Sequence, residues 1–443
     1  MSATDGFERV LQEWLEGTAP QSPVDLHATA IARVRSRRQR PRWLALVRSA
    51  TSFPGPRAGS PTLRILRLAP TLMLLFLLAA LLALAIWLVG SSQRRLPPPF
   101  GPAANGSILY QRDDDIFVAD PTRPGERVIV GGPTLDGSPK WSRDGTEFSF
   151  LRDAGIKVEP NSMVRAADVM LLDADGTNLR RLTGTPLLSP EVLDWAPDGA
   201  HVAVRHERDG KLVISIIETS GSGRALTLDL DPMTPFSSVL WRPPDGAELI
   251  VVGSLPDTNE VAIYGVHPDG TGLRQIAMEG DQGDGTWPGA RKVSFQDASL
   301  SADGSSAIFW NWEPGLGAGR DGSIHLLELT SGRDRRLIFD PAASTELRPL
   351  LSPDGSTIVF QRQDAAGVAR LMVAALDGGG QPHPLGSTFP YDSPPECFLS
   401  PDGSIILSVD KTGPSRFIDT FTGSVEDTKQ PMGGLPSWQR RAP

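Results

Sequence analysis

The sequence has one cysteine, Cys397, in 443 residues, which excludes an intramolecular disulfide framework and any zinc site built on several thiolates. It contains no G-x-S-x-G pentapeptide, so the nucleophile elbow of an α/β-hydrolase is missing. The S-x-D-x-G-x-T-W box of sialidases is missing too. Histidine is scarce, at His27, His201, His206, His267, His325 and His383, and no two stand at the i, i+4 spacing of a helical metal site. These are read as surface or strand histidines. No Asp, Glu, Lys or Arg falls between Leu68 and Gln93. Nor is the chain poor in turn formers: 45 Gly and 40 Pro imply many tight turns and few long helices. Hydrophobic content of 40% and charged content of 21% exclude wholesale disorder.

The net charge of −9 is unevenly spread. Residues 1–67 carry 11 Arg against 5 acids, a balance of +6, whereas residues 91–443 carry 32 Lys+Arg against 47 acids, a balance of −15. Between them, the uncharged run has a centre, Thr71–Val89, in which nine of 19 residues are Leu. As a helix, residues 68–90 would extend ~34 Å, enough to cross the ~30 Å hydrocarbon core of a bilayer. Pro70 falls in the first turn, and Trp87 near the far end suits the headgroup zone. The run is too long, and lies too far from the start, for a cleaved signal peptide. Residues 29–67 hold ten Arg and no acid, so the positive-inside bias places the N-terminus in the cytoplasm and residues 91–443 outside. The expected setting is a bacterial plasma membrane crossed once.

Residues 106–441 show an internal repeat. Six segments end an apolar strand and enter a polar turn closed by Asp-Gly: Trp141 with Asp144-Gly145, Trp195 with Asp198-Gly199, Trp241 with Asp245-Gly246, then Asp303-Gly304, Asp354-Gly355 and Asp402-Gly403. The spacings between the aspartates are 54, 47, 58, 51 and 48 residues. In such a turn Asp bonds the backbone two residues on, and Gly takes the positive φ that closes a hairpin. Each turn is followed by further short strands, as at Glu147–Leu151, Asp168–Asp173 and Leu179–Thr183, giving four strands in about 50 residues. That is the pattern of a β-propeller blade. Three strands precede the first turn, at 107–111, 116–119 and 127–130, and one follows the last unit, at 435–439 around Trp438. Together they would form a composite blade that closes the ring and removes its exposed edges. The expectation is an all-β fold with a seven-bladed propeller, or six or eight blades if a weak unit is misread.

The W-S-R-D-G and L-S-P-D-G turns, with D-A-D-G-T-N-L-R-R-L-T at Asp173–Thr183, resemble the repeat of TolB-like propellers over roughly residues 106–441. The resemblance implies an extracytoplasmic propeller that meets protein or peptide partners through its faces and central channel. TolB itself is a soluble periplasmic protein with a separate N-terminal domain and six blades. This chain instead reads as membrane-tethered and seven-bladed.

Other candidate sites are read as structural. Asp173, Asp175 and Gly176 open like a calcium loop but lack its remaining ligands, so turn duty is the better reading. Asp113-Asp114-Asp115 reads as a solvated hairpin loop, and Trp287, Trp310 and Trp312 as packing between blades. No catalytic constellation emerges. The expectation is a protein that is not an enzyme and uses no cofactor or metal.

In residues 1–43, Phe7, Val10, Leu11, Trp14 and Leu15 mark one amphipathic helix, and Leu26, Ala30, Ile31 and Val34 a second, capped by Ser22 and Pro23 and ended by Pro41. The basic run Arg33–Arg42 is read as a topology and lipid-contact signal, with a regulatory protein as second reading; nucleic acid is not expected as a partner. The stretch from Trp14 to Trp43 is loosely similar to cytoplasmic heads of anti-sigma-type single-span proteins, without the H-x-x-x-C-x-x-C signature that some carry. Residues 44–67 and 91–105 read as linkers, the second a stiff spacer carrying Pro97, Pro98, Pro99 and Pro102. Two functions follow. One is a propeller that binds an envelope protein or peptide. The other is a transmembrane signalling protein whose head, residues 1–43, engages a cytoplasmic regulator.

Overall fold

All six Asp-Gly turns form the same local hydrogen bonds. The aspartate Oδ1 accepts the amide two residues on, from Thr146 (3.0 Å), Ala200 (2.8 Å), Ala247 (3.1 Å), Ser305 (3.0 Å), Ser356 (3.1 Å) and Ser404 (2.8 Å). The glycines adopt φ of +68°, +69°, +71°, +69°, +72° and +78° in the same order. At Gly304 a side chain is also blocked by its neighbour, because a Cβ would stand 1.9 Å from the carbonyl oxygen of Pro243 in the preceding turn. Four turns add a serine hydroxyl that donates to the aspartate, at 2.6–2.7 Å from Ser142, Ser301, Ser352 and Ser400.

The computed structural model describes residues 96–442, except 124, 158–164, 232, 255–260, 279–292, 315–319, 338–344, 364–367, 378–380, 391–394, 411–413 and 429–430, together with residues 73 and 76–78. It separates into two compact units, Met1–Gln93 and Arg94–Pro443. In the first, Met73, Phe76, Leu77 and Leu78 are helical and exposed. The expected head helices, the linker 44–67 and the rest of the expected span lie outside the described residues. Among the described residues no helix is long and apolar enough to cross a membrane.

The second unit is all-β. Its strands are β1 (Ala104–Arg112), β2 (Asp115–Ala119) and β3 (Glu126–Val130), then β4 (Asp136–Trp141), β5 (Glu147–Lys157), β6 (Arg165–Asp173) and β7 (Arg180–Arg181). Next come β8 (Leu187–Trp195), β9 (His201–Arg208), β10 (Lys211–Glu218) and β11 (Ala225–Thr227), and β12 (Thr234–Trp241), β13 (Leu249–Ser254), β14 (Val261–Val266) and β15 (Arg274–Met278). They are followed by β16 (Val293–Leu300), β17 (Ser306–Pro314), β18 (Arg320–Glu328) and β19 (Asp334–Leu337), and by β20 (Thr345–Leu351), β21 (Thr357–Gln363), β22 (Val368–Ala375) and β23 (His383–Pro390). The last are β24 (Glu396–Leu399), β25 (Ile405–Val409), β26 (Arg416–Asp419), β27 (Val425–Asp427) and β28 (Gly433–Arg441).

The pairing forms six antiparallel sheets. Sheet I, ordered β28-β1-β2-β3, joins the last strand to the first three, with Ile108 opposite Trp438. The composite blade expected from the two ends of the repeat is therefore present. Sheet II contains β4 to β11, and sheets III to VI take four consecutive strands each. The expectation of seven separate blades is corrected: five sheets stand alone with four strands, and two repeat units share the eight-stranded sheet II. The reason is local. Before entering its own unit, β8 runs beside β6, pairing Leu187 with Ala167 and Leu188 with Ala166.

Successive units bury apolar clusters between them. Phe148, Trp141 and Leu109 lie between sheets I and II, while Val169, Leu182, Trp195 and Val202 lie between the two halves of sheet II. Leu407, Tyr110 and Trp438 join sheet VI back to sheet I, so the cores run round a closed ring. Burial of this kind contributes about 25 cal/mol per Å² of apolar surface removed from water.

Candidate functional site

Antiparallel strands place all Asp-Gly turns on one face of the ring and the starts of the inner strands on the other. At the starting face, the inner strands bulge. Ser138 on β4, Ser189 on β8 and Arg348 on β20 take left-handed φ of +51°, +45° and +50°, each within a register shift of its ladder. Non-glycine residues in this region carry strain of about 1–3 kcal/mol each, and bulges of this kind re-aim side chains.

Beside each bulge an acid on the inner strand faces an arginine on the second strand. Asp136, fully buried, accepts from Arg152 Nε at 2.7 Å and Nη2 at 2.9 Å. Glu346 accepts from Arg362 Nε at 3.1 Å and Nη2 at 2.7 Å, and Glu191 pairs with Arg205. In two of the three, the guanidinium also lies 5.4 Å from a ring centroid two residues earlier, Phe150 for Arg152 and Phe360 for Arg362. The carboxylate of Asp136 holds Arg152 above the usual arginine value. In sheet I, Arg112 instead reaches Glu126 on β3, which also accepts from Tyr110 Oη; burial and that carboxylate push the Tyr110 phenol up.

The Glu191–Arg205 pair, with the bulge residues Ser138 and Ser189, lines a rim cavity of about 410 Å³ between sheet I and both halves of sheet II. Gln111, Asp153, Arg165, Glu191, Arg205 and Leu435 line it, mixing both charge signs with apolar surface. Leu435 is 53% exposed there. The repeated pairs were not visible in the turn motif. The signal was a recurring aromatic-x-Arg on the second strand: Tyr110-Gln111-Arg112, Phe150-Leu151-Arg152 and Phe360-Gln361-Arg362.

At the turn face the channel has a different end. Residues 98–103, read from sequence as spacer, are tied across the ring. Arg440 Nη2 donates to the carbonyls of Pro98 (2.9 Å) and Gly101 (2.7 Å), and the amide of Ala103 donates to Pro401 O (3.0 Å). Phe100 lies under the guanidinium of Arg143 at 4.8 Å. Arg143 binds both oxygens of Asp194 (2.7 and 2.6 Å), and Asp194 also accepts the amides of Trp195 (2.9 Å) and Trp241 (3.1 Å). Lys140 donates to Leu193 O, and burial pushes its ammonium down, against the opposing pull of Asp194.

The repeat-turn residues of the sequence reading hold the scaffold together. Trp141, Trp195, Trp241 and Trp438 are buried between units. Asp173 and Asp175 act in a turn, Asp175 accepting Thr177 N at 2.9 Å and Asp173 accepting Asn178 Nδ2 at 2.8 Å. Asp113 and Asp114 turn the first hairpin with φ of +50° and +66°. Trp310 is buried in the core between sheets IV and V, whereas Trp287 and the side chain of Trp312 lie outside the described residues.

His325 is a buried strand residue whose Nε2 meets Ser323 Oγ (2.9 Å) and whose Nδ1 meets Asp334 (2.9 Å). This order of contacts resembles a hydrolytic triad. Ser323 and His325 are, however, only 2% exposed, and a nucleophile must reach its substrate. Among the described residues no three His, Cys, Asp or Glu side chains group as metal ligands.

No protein-family model matches the chain, and comparison with the curated proteins finds no match. Solved structures similar in chain trace include TolB from Acinetobacter baumannii, 16% identical over 81% of this chain and 70% of that one, with a TM-score of 0.42. A putative TolB from Agrobacterium tumefaciens is 20% identical over 68% of this chain and 95% of that one, with a TM-score of 0.42. An oligogalacturonate lyase in complex with manganese is 12% identical over 74% and 84%, with a TM-score of 0.49.

Proposed function

We propose that this chain is a single-pass bacterial membrane protein whose extracytoplasmic propeller binds an envelope protein or peptide at the starting face. The observation that carries the binding reading is the rim cavity. Its walls combine exposed Leu435 with Asp153 and Arg165 and with the Glu191–Arg205 ion pair, which spans two strands. Fixed charge next to apolar surface favours recognition of a chain with its own polar backbone and apolar side chains. The membrane reading is supported by the 26 uncharged residues from Leu68 to Gln93 and by the arginines before them.

The test compares partner capture from native membranes by the full chain and by two rim variants, Arg165→Glu and Leu435→Asp. Loss of a captured envelope protein or peptide by about tenfold in both, at unchanged expression, fits the reading; a tenfold loss corresponds to about 1.4 kcal/mol. Capture unchanged in both variants contradicts it. A cytoplasmic regulator captured only through residues 1–43 would replace binding with signalling.

A further inference from the structure

At the turn face, residues of sheets I to V and Phe100 and Gly101 of the strap border a second, open cavity of about 250 Å³. Its walls mix apolar Phe100, Trp241, Leu300 and Leu351 with polar Ser299 and Ser352. Two cations, Arg143 and Arg440, also line it, and no acid does. The charge of Arg143 is met by Asp194, whose two oxygens are already occupied by that guanidinium and by two backbone amides. Among the described residues no carboxylate meets the charge of Arg440. Its Nη2 is held by two neutral carbonyls, and its Nε is buried without a hydrogen-bond partner.

A guanidinium removed from water beside another cation is costly unless an anion meets it. Burial and the neighbouring charge of Arg143 lower Arg440 to about 10, so it still carries its charge at neutral pH. We propose that the cavity under Phe100 is a binding site for a small monocarboxylic acid with an apolar body, its carboxylate set against the guanidinium of Arg440. One guanidinium without a carboxylate partner, beside Phe100, Trp241, Leu300 and Leu351, fits a single carboxylate with a hydrocarbon body better than phosphate, which asks for more donors. The carboxylate can come from a free acid or from the C-terminus of a peptide. This site is on the face opposite the rim cavity and stands independently of it.

The test is calorimetry on the full chain in detergent micelles, with benzoate as probe and benzamide and inorganic phosphate as controls. Benzoate is expected to bind, and the neutral amide and phosphate to bind at least about tenfold more weakly, the range of a charge-assisted hydrogen bond. Arg440→Gln should weaken benzoate by a similar factor. Ala302→Phe, which fills the cavity edge and leaves the charges in place, should also weaken it, and it decides the matter if Arg440→Gln does not fold. Acetyl-glycyl-phenylalanine binding more tightly than its C-terminal amide would identify a peptide terminus as the source; benzoate binding alone identifies a free acid. No binding of benzoate, equal binding of benzamide, or wild-type binding by a folded Ala302→Phe variant overturns the proposal.

Discussion

The indole N–H of Trp195 donates to Ser149 Oγ at 3.2 Å, across the boundary between the two halves of sheet II. The same indole also reaches Lys140 O at 3.1 Å. Trp141, Trp241 and Trp438 occupy the same position in other units, yet their indole nitrogens are buried without partners. The register explains why. The residue one step beyond the tryptophan's cross-strand partner, in the preceding unit, is Ser149 for Trp195 but Leu109, Ala203 and Leu407 for the others. Ser149→Ala should therefore cost about 1 kcal/mol, and Ala203→Ser should stabilise by a similar amount by giving Trp241 an acceptor. Urea unfolding midpoints of the two variants check both signs.

The turn glycines are steric as well as conformational requirements. Gly304 combines φ of +69° with a Cβ position 1.9 Å from Pro243 O. Gly304→Ala should lower stability by about 1–3 kcal/mol or more, since backbone must move. Gly355 has φ of +72° and open space around its Cβ position, so Gly355→Ala should cost less. Thermal unfolding of the pair separates strain from collision.

How much of this was legible in sequence depends on how local the determining interaction is. The Asp-Gly turns and the strands after them were readable because Asp144, Gly145 and Thr146 interact within three residues. The pairing of β28 with β1 was readable because three strands at one end and one at the other complete a unit. The merging of two units was not, since it rests on the path of Leu187 and Leu188 beside β6. The rim pairs were also hidden. Asp136 and Arg152 are 16 residues apart, and only the register and the bulge at Ser138 bring them together. Phe100 sits in a proline-rich stretch whose composition reads as spacer, and its place depends on Arg143 and Arg440 from distant units.

The Asp136–Arg152 pair should behave as a buried ion pair. Arg152→Gln leaves a fully buried carboxylate without its partner and should cost about 3–5 kcal/mol. Adding Asp136→Asn to that variant should restore a large part of the loss. A double-mutant cycle by chemical denaturation measures the coupling, and near-additive losses would show that the two residues act separately.

Two pH windows follow from groups with shifted protonation. The hydroxyls of Ser301 and Ser352, with the amides of Ser305 and Ser356, hold Asp303 and Asp354 below their usual value. The unfolded chain then binds protons more readily, so this contribution is present above about pH 4 and is lost as pH falls through the folded values. Burial pushes His206 below its usual value, so stability should also decline as pH drops below about 6.5, and level off beneath its folded value. Melting temperature against pH should show both declines, and His206→Gln should remove only the upper one.

The most direct test of the binding account is site-specific photo-cross-linking in living cells. A benzophenone side chain at Leu435, on the rim, is compared with one at Leu226, equally apolar and 45% exposed on the outer strand β11. The account predicts a discrete cross-linked partner from Leu435 and none from Leu226. Equal labelling from both positions, or none from Leu435, would contradict it.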